Sequence, residues 1–180
     1  MSMVAGLFIL VPCLLIFHNL CNRNASFMNL NKVFKEHFGL FKKCKYQYVI
    51  FYVYPILVSV GISFYFTPKA SFMEQFNVVV SILLSALLAI MSILISKDFS
   101  GLADDARNNA KAILCETNNA IIFDVSIGIM LIIVNLVLFT IDVENTLWAK
   151  VIAGISYYLF IVMLLTILLI IKRLSRLSDL

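Results

Sequence analysis

The sequence predicts an all-α, polytopic transmembrane helical bundle: four main spans, a short N-terminal hydrophobic helix and cytoplasmic amphipathic helices. Three observations predict it. Four apolar runs cover residues 48–66, 78–96, 121–141 and 149–171. Each is close to the roughly 20 residues that a helix rising about 1.5 Å per residue needs to cross a hydrocarbon core about 30 Å thick. Second, only 13% of the 180 residues are charged and the mean hydropathy is +1.01; soluble domains carry about 25% charged residues. Third, the basic residues alternate between the two ends of the spans.

The run at 4–17, within an N-terminal apolar helix at 1–20, is shorter than the others. A cleaved signal peptide is not expected, because Met1–Gly6 carries no Lys or Arg and His18-Asn19-Leu20-Cys21 makes a poor cleavage site. Two readings stay open: a short span with its N-terminus outside, favoured because the basic stretch begins just after it, or a helix packed into the bundle or lying at the interface. Pro12 would kink it.

Segment 22–45 reads as a basic amphipathic helix. Phe27, Leu30, Phe34, Phe38 and Phe41 recur at helical spacing on one stripe, while Lys32, Lys35, Glu36, Lys42 and Lys43 project elsewhere. Such a helix lies in a headgroup layer or packs beneath the bundle. Gly39 is expected to break or bend it.

In the first main span, Tyr46, Tyr48, Tyr52 and Tyr54 crowd one end and Tyr65 marks the other, as in interfacial aromatic belts. Pro55 removes a backbone donor inside this span and predicts a bend. The second span carries Ser81, Ser85, Ala89, Ser92 and Ser96 at three- and four-residue steps. This small-residue face predicts close helix packing; the same serines could line a narrow polar path. Gly61 with Ser59 or Ser63, and Gly154 with Tyr158, are expected to make similar close contacts.

The insertion at 97–120 reads as a cytoplasmic helix after a turn at Ser100 and Gly101, continuous with the third span from about Leu102. Leu102, Ala106, Asn109 or Ala110, Ile113 and Leu114 form a narrow apolar seam that wants a partner, in this chain or another. Within the third span, Asp124, Gly128, Leu131 and Asn135 share a face. Asp124 is expected to stay hydrated near the headgroups. Asn135, near the bilayer centre, needs a hydrogen-bond partner, within the chain or along a pore or subunit seam. Trp148 opens the last span.

Charge sets the orientation. Arg23, Lys32, Lys35, Lys42, Lys43 and Lys45 precede the first main span; Lys97, Arg107 and Lys111 fill the central insertion; Lys172, Arg173 and Arg176 follow the last span. Only Lys69 and Lys150 lie at the opposite ends. Positive charge remains inside, so the C-terminus is expected in the cytoplasm and the loops around Pro68 and 142–145 outside. Cys21, Cys44 and Cys115 then face a reducing compartment and Cys13 lies in the apolar run. With no CxxC or Cys/His ligand spacing, they read as structural thiols.

No repeat, flexible linker or low-complexity block divides residues 1–180, so one membrane domain is expected. Enzyme activity is not expected: the span interiors hold no Lys, Arg, Glu or His, and no GxSxG, HExxH, Walker or Rossmann pattern occurs. Neither a cofactor nor a metal is implied. The net charge of +4 comes from cations flanking apolar runs rather than from an aromatic-interleaved patch, so direct nucleic-acid binding is not expected.

The basic lead-in at 29–45, the Tyr52, Tyr54 and Pro55 set, the insertion ending in Cys115-Glu116-Thr117-Asn118-Asn119 and the basic tail together resemble the small multi-span membrane effector and accessory proteins of bacterial anti-phage defence. That group includes CRISPR-associated membrane partners and few-helix effectors of nucleotide-signalling systems. The resemblance is architectural, and it implies a homo-oligomer in the bacterial inner membrane that permeabilises or depolarises it when a cytosolic protein partner signals. Its partners would be membrane lipids, its own copies and that cytosolic protein. Two other classes fit the sequence: a non-conducting scaffold or regulatory subunit for a cytosolic enzyme, and a small transporter subunit. The last is disfavoured because Pro55 has no counterpart in the last two spans.

Overall fold

A computed structural model describes residues 30–40, 45–65, 70–98, 100–101, 103–140 and 147–178. The N-terminal apolar run, Phe27, Phe41, Lys42, Lys43, Leu102 and the cysteines other than Cys115 lie outside these residues. Among the described residues the fold is all helical. Helix α1 is Leu30–Leu40. Helix α2 comprises a turn at Lys45–Tyr48, a π-helical segment at Val49–Val53 and an α-helical part at Tyr54–Tyr65. Helices α3, α4 and α5 are Ala70–Ser96, Asp104–Thr140 and Leu147–Ser178. Four helices are long and apolar enough to cross a membrane, over Tyr46–Tyr65, Phe72–Ser96, Asp104–Leu138 and Ala149–Leu177. The chain is a multi-pass helical membrane protein.

The π-helical segment is the local answer to Pro55. A proline cannot donate to the carbonyl four residues back, and its ring presses on that carbonyl. The turn ahead of it widens, and the Tyr54 N–H donates to the Val49 carbonyl five residues back. One-turn π segments are a common way to absorb such a mismatch. Where the sequence predicts a bend, the structure has this widened turn.

Helix α4 is the hub: α1, α3 and α5 all pack on it, and α2 packs on α5. It is the most buried span and α3 the least. Antiparallel pairing of α3 and α4 sets Asn77 against Asn135 and Leu84 against Gly128. The main core is built from Val80, Leu87, Ile121, Phe123, Leu131 and Met163, among others. A smaller cluster, Met73, Leu138, Ala149 and Ala153, closes the end near the α4–α5 connection.

The α3–α4 connection turns on Asp98, whose carboxylate accepts the Ser100 backbone N–H at 3.0 Å and its hydroxyl at 2.8 Å. Helix α4 then opens with Asp104 and Asp105 in its first turn, where acidic side chains favour the helix macrodipole. It runs unbroken from there into the third span, as expected from about Leu102.

Candidate functional site

Two polar features distinguish the bundle from a plain apolar one. The first is a seam between α3 and α4. Asn135, fully buried, donates from Nδ2 to Asn77 Oδ1 at 2.8 Å. Two turns away, Gly128 lets Leu84 lie against the α4 backbone; a Cβ there would sit 2.5 Å from Leu84 Cδ2. Leu131, between them, is also fully buried. The Asp124, Gly128, Leu131 and Asn135 face is thus buried in the bundle, and Asn135 donates within the chain while its own buried Oδ1 has no hydrogen-bond partner among the described residues.

Asp124 corrects an expectation. Rather than resting hydrated near the headgroups, it is fully buried, and neither carboxyl oxygen has a hydrogen-bond partner among the described residues. The packing of other helices on α4 excludes it from solvent, and at the neighbouring residue α1 covers α4: the His37 ring stacks on Phe123 with centroids 3.8 Å apart, and Phe34 meets the same ring edge-on at 5.0 Å.

The second feature is the α3 stripe. Ser81, Ser85, Ala89, Ser92 and Ser96 are all exposed. Each serine hydroxyl donates to its own helix, Ser81 to the Asn77 carbonyl at 2.8 Å, Ser85 to Ser81 at 2.9 Å, Ser92 to Leu88 at 3.0 Å and Ser96 to Ile93 at 2.9 Å. Their donors are satisfied, so they can face lipid, while their oxygens keep acceptor capacity. No other helix of the described chain covers this face. The close intrachain contact of small residues lies elsewhere, between α2 and α5, where Ser63 Oγ approaches the position of a Gly154 Cβ to 3.3 Å. Gly61, expected to share in such a contact, has open space beside it.

At the end of the bundle bearing α1, polar contacts join elements distant in sequence. Asn119 Nδ2 donates to Glu36 Oε2 at 2.6 Å, Arg173 donates to the Glu116 carbonyl at 2.9 Å and pairs with its carboxylate at 3.4 Å, and Lys97 Nζ donates to the Leu177 carbonyl at 3.3 Å. Helix α1 lies on α4 through Val33, Phe34 and His37, while Lys32, Lys35 and Glu36 stay exposed. Burial, and then the positive charge of Arg173, lower the His37 pKa from 6.5 to about 4. The helix continues through Gly39 and ends one residue later.

Of the expected partner-binding seam, Ala110 is fully buried and Ala106 and Ile113 are half-buried; Leu102 lies outside the described residues. The exposed surface at this end of α4 is instead polar: Asp104, Asp105, Asn108, Asn109 and Lys111. Among the described residues no group of three or more His, Cys, Asp or Glu could hold a metal ion.

Sequence reasoning missed Asn77, because the apolar window begins one residue later. An asparagine in line with the serine stripe, at the same seven-residue offset from Leu84 as Asn135 has from Gly128, is the signal that could have found it. No family model, curated protein or solved structure matches this chain.

Proposed function

We propose that the chain is a non-enzymatic, oligomeric protein of the bacterial inner membrane that conducts across or perturbs that membrane, with copies meeting along α3. The observation that carries this reading is the exposed Ser81–Ser85–Ala89–Ser92–Ser96 stripe on the least covered span. Small residues let helix backbones approach closely where lipid tails give apolar side chains no reason to associate. Serine oxygens along such a contact also suit a narrow hydrated path. Helix α1, resting on Phe123 of α4, is where a cytoplasmic partner's signal would enter, in keeping with the architectural resemblance to anti-phage membrane effectors.

The test is reconstitution in liposomes with a trapped dye. Ser85→Cys should cross-link copies under mild oxidation, and Ser85→Leu should abolish both oligomers and leakage. Asn135→Leu acts inside the subunit, so adding it to Ser85→Cys should leave the cross-linking intact. A monomer that leaks nothing, even with its cytosolic partner added, overturns the reading. It would favour the non-conducting scaffold, which would dock through the exposed polar surface at Asp104–Lys111.

A further inference from the structure

Helices α2 and α5 leave a groove of about 370 Å³ between them, open to the lipid side. Ile56, Val60 and Phe64 line it from α2, and Lys150, Gly154 and Tyr158 from α5. Two serines on its wall present no free donor: Ser59 Oγ donates to the Ile56 carbonyl at 3.0 Å and Ser63 Oγ to the Val60 carbonyl at 2.9 Å. The interior is therefore apolar although serines contribute to it. The one charge among its described lining residues is the ammonium of Lys150, towards the end where α5 begins.

We propose that this groove binds one acyl chain of an anionic phospholipid, with Lys150 set against the headgroup phosphate. Its length fits. From Leu147 to Tyr158, both on its wall, α5 rises roughly 16 Å, about half of a hydrocarbon core of ~30 Å, which is the depth of one leaflet. Its cross-section suits the occupant. Spread over that length, the space in this open trough has a smaller cross-section than a helix about 10–12 Å in diameter, so an alkyl chain lies within it whereas a helix of a second copy would rest on its rim. The charge supplies the preference: a lysine on a flexible stem reaches from an apolar wall to the headgroup layer and favours anionic lipid there. The leaflet is the one on the side of the α4–α5 connection.

The test uses the full chain in phosphatidylcholine vesicles doped with phosphatidylglycerol that carries a diazirine in its acyl chain, followed by photolysis and peptide mapping. Label should concentrate on 56–64 and 147–158, above the level on the lipid-facing side of α3 around Val79 and Ile82. Lys150→Gln should lower that labelling about fivefold, the loss of one lysine–headgroup attraction, and should erase the preference over a diazirine phosphatidylcholine. Val60→Trp should fill the groove and lower labelling by either lipid, while labelling of α3 persists and reports an inserted, folded chain. Three results would overturn the proposal. They are label spread evenly over α2, α3 and α5, equal labelling by the two lipids that Lys150→Gln leaves unchanged, or photoproducts joining two copies across the groove.

Discussion

Gly128→Ala tests whether α3 and α4 are held at their closest approach by a missing side chain. The added methyl would stand 2.5 Å from Leu84 Cδ2, 3.1 Å from Cγ and 3.3 Å from Cδ1, so the whole isobutyl group must move rather than one rotatable end. Overpacking of this kind costs about 1–3 kcal/mol, while alanine in place of helical glycine regains about 1 kcal/mol of intrinsic helix stability. Gly61→Ala supplies the internal reference, since a Cβ there meets nothing within 4 Å and the change reports the helix term alone. The difference between the two variants isolates the steric cost, and Gly61→Ala should be the more stable by about 1–3 kcal/mol. Adding Leu84→Ala to Gly128→Ala removes the atoms in conflict and should recover most of that difference as a coupling energy of about 1 kcal/mol or more. The measurement is reversible unfolding in mixed detergent–SDS micelles, followed by the fluorescence of the single tryptophan, Trp148. If Gly128→Ala proves as stable as Gly61→Ala, or the Leu84 cycle is additive, the close approach is not what positions these helices.

The other predictions use the same unfolding assay. Asn77→Leu and Asn135→Leu should each destabilise by about 0.6 kcal/mol, the mean for interhelical polar contacts in membranes, and by less when combined than the sum of the two; additive losses would refute the pairing. Asp124→Leu should stabilise by about 1–3 kcal/mol, because a buried polar group without a partner among the described residues is removed; a loss of stability would show that Asp124 has a compensating contact. His37 holds its proton with a pKa of about 4 when folded against 6.5 when unfolded, so the unfolded chain binds more protons between those values. Stability should therefore fall as pH drops from about 6.5 to 4, by about 3 kcal/mol in full, and His37→Phe, which keeps a ring on Phe123, should flatten that slope. Glu116→Gln should cost no more than about 1 kcal/mol, since the half-exposed carboxylate is lost but the Arg173 bond to the Glu116 carbonyl survives.

The spans were legible because hydrocarbon thickness imposes a length that composition alone reveals. The continuity of α4 was legible too, since charge, rather than glycine or proline, separates its polar and apolar parts. The position of the disturbance in α2 followed from Pro55, but its form did not: a kink and a π turn answer the same lost donor. Pairings between distant residues were hidden for a different reason. Whether Asp124 meets water depends on which helices pack over α4, through contacts such as that between residues 37 and 123, and no local periodicity encodes them. Gly61 and Gly154 look alike in sequence, yet only Gly154 meets a neighbouring helix, because helical phase identifies which residues share a face and not which face is turned inward.

That ambiguity of facing bears directly on function. The Asn135 face and the Ser81–Ser96 stripe carry similar polar content, yet the structure turns one inward and the other outward. Asparagine has two amide donors and cannot satisfy both within its own helix, so facing lipid would leave it costly and it is drawn to a partner. Serine has one donor, which it returns to the carbonyl three or four residues back, so it tolerates lipid while leaving an acceptor available. The inward face is thus committed to holding this chain together. The outward face is held to nothing within the described chain, and the proposed association between copies would need a surface of that kind. If Ser85→Leu preserved both oligomers and leakage while Asn135→Leu abolished them, this division of labour between the two faces would be reversed.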